Sequence, residues 1–280
     1  MTVALSQFTI SFREGFEAAL VVAVIVAYLN RTRRSRFIKY VWYGVLAAAA
    51  ASLAAGLVVA TTYGALPEGH KNLFESIASL LAVAVLSSVV YWMAEKGPRF
   101  REEIEASVEE KISERDLLGL STTSFILVFR EGFETVLFLA PFYARDPTLT
   151  LVGASGGLAA SAALSYLVFL AGVKISIRRY FYFTSLLLVS IASGLLGYGV
   201  HELIEYLSEA GVEVGWLGRK AYDLGIPPEH PLHPKNPLGS VLAALLGYSA
   251  SAEWGRVIAQ LLYLALAIPL TVRAYRKRRR

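Results

Sequence analysis

Apolar residues along the chain fall into seven runs, at roughly 6–29, 41–62, 73–93, 119–143, 150–173, 181–207 and 238–272. Each is at least about as long as the twenty residues a helix needs to cross the hydrocarbon. The last two exceed that length and are expected to tilt, kink or run past the surface. Between 94 and 118 the pattern changes: eight acids and five bases surround Ile104, Val108 and Ile112. Apolar residues at i, i+4 and i+8 predict an amphipathic helix lying on the membrane surface. The expected fold is therefore an all-α integral membrane protein with seven transmembrane helices.

Composition supports this reading. The 280 residues are 55% hydrophobic and 18% charged, and the mean hydropathy is +0.52. An ordinary soluble chain is nearer ~45–50% apolar and ~25% charged, so a soluble enzyme, a disordered chain and a nucleic-acid-binding domain are all poor fits. The net charge of +5 is distributed as membrane topology requires. Of the 27 Lys and Arg, 19 lie in the connections at 30–40, 94–118 and 174–180 and in the tail from Arg273, against 5 in those at 63–72, 144–149 and 208–237. The basic side is cytoplasmic by the positive-inside rule, which puts the N-terminus outside and the C-terminus inside. Trp42 and Trp92 fall near the expected inner interface. The basic cluster follows the first apolar run instead of preceding it, so that run reads as a retained helix and not a signal peptide. With no cysteine, a metal site must use oxygen or histidine ligands.

The chain contains one hexapeptide twice: Phe12–Glu17 and Phe129–Glu134 both read Phe-Arg-Glu-Gly-Phe-Glu. Around these copies it divides into two three-helix units, 6–93 and 119–207, with a seventh helix at 238–272. Three spans per unit give the second copy the opposite orientation, an inverted repeat of the kind that places transport sites near the membrane midplane. The second span of each unit lacks ionisable interior residues and is rich in Ala, Gly and Ser, as expected for closely packed scaffold helices.

Arg13, Glu14, Glu17, Arg130, Glu131 and Glu134 lie deep in the first and fourth spans. Each such residue costs about 2.5–3.5 kcal/mol at a helix centre unless paired, hydrated or bound. Arg13, Glu14 and Glu17 project from roughly one side of their helix, and Gly15 and Gly132 would let the two motif helices approach closely. Four carboxylates and two guanidiniums sum to −2, a deficit that a di- or trivalent hard cation offsets. Simple buried ion pairs are the alternative, but two Glu per Arg leave surplus negative charge.

The duplicated Arg-Glu-Gly-Phe-Glu closely resembles the Arg-Glu-Gly-Leu-Glu motif of the iron/lead transporter superfamily, which includes the high-affinity ferric iron permeases. Phe16 and Phe133 stand where that family usually has Leu, an apolar exchange that leaves the candidate ligands untouched. The resemblance covers essentially the whole chain. It implies seven spans, an outside N-terminus, and iron as the transported substrate with no organic cofactor. It also implies that Glu14, Glu17, Glu131 and Glu134 handle the iron, that Arg13 and Arg130 organise them, and that an extracytoplasmic partner oxidises ferrous iron. Transport of another cation (lead, manganese or ferrous iron), export, and a membrane-embedded metalloenzyme or oxidase-anchoring subunit remain open. No nucleotide-binding loop signature is present.

Further candidates lie near the outer side. His201, Glu202 and Glu205, with Glu75, could form an entrance metal site or ordinary interfacial capping. The spacing His-Glu-x-x-Glu lacks the second histidine of a zinc hydrolase. The 208–237 loop holds five of the ten prolines, four acids and two histidines, and reads as a stiff exterior loop or a docking segment. Glu253 and Arg256, one turn apart, read as a self-neutralising pair or as part of the pathway. The acids at 94–118 read as a solvated face or as acceptors for exiting metal. Accessibility labelling checks the orientation: tags at residue 2 and within 208–237 react from outside, and tags at 30–40 and 280 from inside. A C-terminus labelled from outside contradicts both the orientation and the inversion.

Overall fold

The computed structural model describes residues 4–96, 100–113, 116–169, 177–227, 229–234 and 236–276. Parts of the expected connections at 94–118, 174–180 and 208–237, the end of the 150–173 span and the last residues of the basic tail lie outside them. Among the described residues the chain forms nine α-helices: α1 (Leu5–Arg31), α2 (Ile38–Ala65), α3 (Glu68–Lys96), α4 (Phe100–Ser113), α5 (Leu117–Arg145), α6 (Pro147–Phe169), α7 (Ile177–Glu209), α8 (Pro237–Leu246) and α9 (Trp254–Arg276). Two short strands, β1 (Lys220–Asp223) and β2 (Ser251–Glu253), pair antiparallel.

Five of these helices are long and apolar enough to cross a membrane: α2, α3, α6, α7 and α9. The 27 residues of α1 and 29 of α5 have the length, but each carries the three motif charges. The outward faces expose Leu46, Leu53 and Leu57 of α2, Leu151 of α6, and Leu261 and Leu266 of α9. A continuous apolar exterior of this kind is the surface of a protein solvated by lipid.

Local chemistry sets the helix ends. Asp116 accepts from the Gly119 amide at 2.7 Å and caps α5. Asp146 closes α5 and caps α6, accepting from the Leu149 amide at 2.8 Å, with Pro147 at the first helical position. An Asp-Pro pair thus turns the chain between two long helices in one residue.

The expected single helix at 238–272 is corrected to two. Gly247 adopts a left-handed φ of 65° and ends α8, a conformation that favours glycine. The following Ser249-Ala250-Ser251 run enters β2, which pairs with β1 from the 208–237 loop. That loop is therefore tied to the break by strand pairing as well as stiffened by proline.

The two motif units interlock. Helices α1 and α6 run parallel: Gly153 sits against Ala4 and Gln7, Gly157 against Phe8 and Phe12, and Gly15 against Ser161. Helices α2 and α5 do the same, with Gly44 against Ser124 and Phe125, Gly132 against Ser52, and Gly56 against Val136. Ser121 donates to the Tyr40 carbonyl at 2.9 Å in the same register. A Cβ on Gly157 would stand 2.8 Å from the Phe12 nitrogen, and one on Gly44 2.8 Å from the Phe125 nitrogen. Without a hydrophobic drive between helices in lipid, such close backbone approach supplies the dispersion contacts that hold them together. Phe16, Leu86, Phe138, Leu188 and Ile191 form a core shared by α1, α3, α5 and α7.

The amphipathic helix expected within 94–118 is α4. Its Ile104, Val108 and Ile112 are buried with Val21, Ile25 and Leu29 of α1 and Leu120 of α5. Two of its acids are held by the basic end of α1: Glu105 pairs with Arg31 at 2.6 Å, and Glu109 accepts from Arg34 and from the Tyr28 hydroxyl, both at 2.5 Å.

Candidate metal site

The motif segments of α1 and α5 bring their carboxylates together. One oxygen each from Glu14, Glu131 and Glu134 lies within 4.8 Å of the others, and all three residues are buried. Ligand oxygens about 2.0–2.6 Å from a metal lie up to about 4–5 Å apart, so this spacing suits one cation. Arg13 is fully buried and holds its own motif: one terminal nitrogen bonds Glu14, and the other lies 2.7 Å from Glu17. Arg13 is therefore shared between Glu14, which belongs to the three-carboxylate group, and Glu17, which stands outside it.

The second motif is arranged differently. Arg130 donates through Nε to Glu134 at 2.8 Å, its side chain is 38% exposed, and its guanidinium lies 4.2 Å from the Trp92 ring centroid. A cation over an aromatic face is stabilised by the ring quadrupole. Trp92, expected near the inner interface, also forms the platform for this arginine.

Polar satisfaction is incomplete at the centre. Glu14 Oε2, Glu17 Oε2 and Glu134 Oε2 are buried with no hydrogen-bond partner among the described residues. Buried acceptors without donors are costly. A set of carboxylate oxygens in this condition matches the chemistry of a hard cation.

The expected role of the motif glycines is corrected. Gly15 faces Ser161 and Leu158 of α6, and Gly132 faces Ser52 of α2. Neither sits at a contact between α1 and α5. Each seats a motif helix on the second helix of the other unit, because the smooth face of the motif lies opposite its charges.

The outer candidates separate into two groups. His201, Glu202 and Glu205 offer ligand atoms within 4.8 Å of one another. Glu75 is engaged elsewhere: Tyr63 donates to its Oε1 at 2.8 Å, and Tyr198 donates to its Oε2. Glu253 lies on β2, where helical i, i+3 geometry does not apply, so the expected pairing with Arg256 gives way to other partners. Its Oε1 is 3.1 Å from His201 Nδ1, and Arg256 donates to the Gly247 carbonyl at 3.3 Å. Glu253 thereby joins the His201 cluster, which sequence spacing alone did not reveal. Trp92, Tyr63 and Tyr198 were equally invisible, since each meets its partner only through packing of separate helices.

The model of the iron permease FTR1 family matches residues 4–275. An uncharacterized protein of Archaeoglobus fulgidus is 47% identical over 271 residues, covering 97% of this chain and 95% of that one. The ferrous iron permease EfeU of Escherichia coli O157:H7 is 32% identical over 266 residues, covering 93% and 92%. Its counterpart in Yersinia pestis is 31% identical, covering 94% and 91%. No solved structure matches the chain.

The two arginines should differ in structural importance. Arg13→Ala leaves Glu14 and Glu17 buried without their counter-charge, a change worth about 3–5 kcal/mol. Arg130→Ala removes a partly exposed guanidinium that pairs with Glu134 alone, and should cost less. Thermal unfolding of the purified variants checks this, and a larger loss for Arg130→Ala contradicts it.

Proposed function

The chain belongs to the iron permease FTR1 family and is a transporter rather than an enzyme, and from that premise we propose that it moves iron into the cytoplasm through the carboxylates of its two motifs. One observation carries this reading: Glu14 of one unit and Glu131 and Glu134 of the other are buried together, and Glu14 and Glu134 each keep an oxygen with no hydrogen-bond partner among the described residues. Arg13 and Arg130 hold the carboxylates in place and keep the empty site from carrying its full negative charge. A cation entering between them exchanges its water shell for fixed carboxylate oxygens.

Seven spans with an outside N-terminus complete the reading, α1 and α5 being the two charged crossings and α8 a short helix packed against α7 and α1. The parallel pairs support the inversion. Helix α1 runs with α6, which reverses directly out of α5 at Asp146, so α1 and α5 run oppositely. That arrangement is the one expected for two motifs related by a pseudo-two-fold axis in the membrane plane. His201, Glu202 and Glu205 serve as the capture site at the outer mouth.

Carboxylate-only donors are hard ligands and favour ferric iron, which requires an oxidising partner outside the cell. Ferrous iron is the second reading. It rests on the names of the Escherichia coli and Yersinia pestis relatives and on a motif charge of −2 that a divalent ion neutralises; it needs no oxidase.

Uptake into proteoliposomes tests the shared site. Glu14→Gln, Glu131→Gln and Glu134→Gln should each lower the rate at least about tenfold, the scale on which metal sites respond to loss of supporting groups. Glu17→Gln should also reduce it, through release of Arg13. Glu202→Gln should raise the half-saturating concentration and spare the maximal rate. Running each variant with citrate-bound ferric iron and with ferrous iron under reductant identifies the transported state. Wild-type rates in the α5 variants would contradict a site shared by both motifs.

A further inference from the structure

The basic end of the molecule carries a cleft that the iron reading leaves unused. It measures about 710 Å³ and lies where the chain leaving α1 meets the start of α2, the end of α4 and the start of α5. Arg34, Arg36 and Lys39 line it, and among the described residues no acid does. Arg34 is engaged by Glu109 at 2.5 Å. Arg36 and Lys39 are exposed and have no ion pair among the described residues. Each rests over the ring that follows it in the chain, Arg36 at 4.7 Å from the Phe37 centroid and Lys39 at 5.0 Å from that of Tyr40. Those two rings line the same cleft, with Ile112 and Leu117 as its apolar floor. Two cations thus stand without a counter-charge in a cleft whose other walls are aromatic or aliphatic.

The cleft continues onto the outward face of α2. Tyr40 meets Tyr43 edge-on, with ring centroids 6.0 Å apart. Counting from Lys39 in helical steps of three, four and seven, the chain presents Tyr43, Leu46, Leu53 and Leu57 as one exposed row. Val41, Gly44 and Ala48, on the opposite side of α2, are buried. Cations at the top, an aromatic collar and an aliphatic row below reproduce the polarity profile of a phospholipid. We propose that this cleft seats the phosphodiester headgroup of an anionic phospholipid, held by Arg36 and Lys39, with an acyl chain along Tyr43, Leu46, Leu53 and Leu57. A free phosphate could use the same cations but has nothing to lay on the row. The bound lipid joins the start of α2 to α4, the helix that clasps the end of α1 through Glu105 and Glu109. Iron has no part in this inference, so it stands or falls apart from the motif site.

The test uses the full chain, purified in a neutral detergent and stripped of lipid. Native mass spectrometry counts bound lipid, and thermal unfolding reads its effect. The probes are phosphatidylglycerol, phosphatidylcholine with the same acyl chains, and glycerol phosphate. Phosphatidylglycerol should bind saturably and about 30-fold more tightly than phosphatidylcholine, the scale of two cations facing an anionic lipid. It should also raise the unfolding temperature, which glycerol phosphate at the same concentration should not. Arg36→Gln with Lys39→Gln should abolish the preference. Arg31→Gln with Arg33→Gln removes as many charges from the same connection outside the cleft, and should retain it. Equal loss in both pairs means general attraction to a basic surface and overturns the site, as does equal affinity of the wild type for the two lipids. Glycerol phosphate that stabilises the wild type as strongly as phosphatidylglycerol makes the cleft a free-anion site and overturns the lipid assignment. If the Arg36 and Lys39 pair fails to fold, the wild-type comparison and Lys39→Gln alone still decide.

Discussion

Everything in this protein is arranged around the cost of placing Arg13, with Glu14 and Glu17, in a fully buried position. A fully buried guanidinium with two carboxylates at its terminal nitrogens is tolerable only where geometry is fixed. The surrounding helices supply that fixity. Helix α6 seats on Gly15 through Ser161, and α2 seats on Gly132 through Ser52. The charges of each motif therefore face the site while its glycine faces the opposite unit. Neither unit can be completed alone, because each motif helix finds its closest packing partner in the other half.

The two motifs are identical in sequence but not in environment. Arg13 is sealed and forked between two carboxylates, whereas Arg130 makes one pair and rests on Trp92, partly exposed. The difference has a physical use. On the proposed function, the sealed motif would fix ligand positions, and the more exposed one would offer a route by which water and ion can exchange. Three carboxylates drawn from both motifs group together, while Glu17 stays at the second terminal nitrogen of Arg13. Beyond the motif, α4 clasps the end of α1 through Glu105 and Glu109, so the helix that carries the sealed motif is also tethered at its C-terminal end.

Much of this was legible in the sequence because it is written in local signals. Apolar length marked the membrane class, the duplicated hexapeptide marked the buried charges, and i, i+4 periodicity marked α4. What was missed depends on long-range packing or on a single backbone turn. The break at Gly247 sits inside an apolar stretch that hydropathy reads as one helix. Glu253 looked like a helical partner for Arg256 until β2 carried it to His201. Trp92 and Tyr198 have no motif of their own and gain meaning only from what folds against them. The motif glycines were assigned to the wrong neighbour because sequence reveals a smooth face but not which helix it meets.

The central claim is that one iron site is shared by the two motifs. Anomalous diffraction at the iron edge from iron-loaded crystals tests it most directly. The account predicts a strong peak among Glu14, Glu131 and Glu134, whatever else is occupied. Iron found only at His201, Glu202 and Glu205, with no peak between α1 and α5, would contradict it.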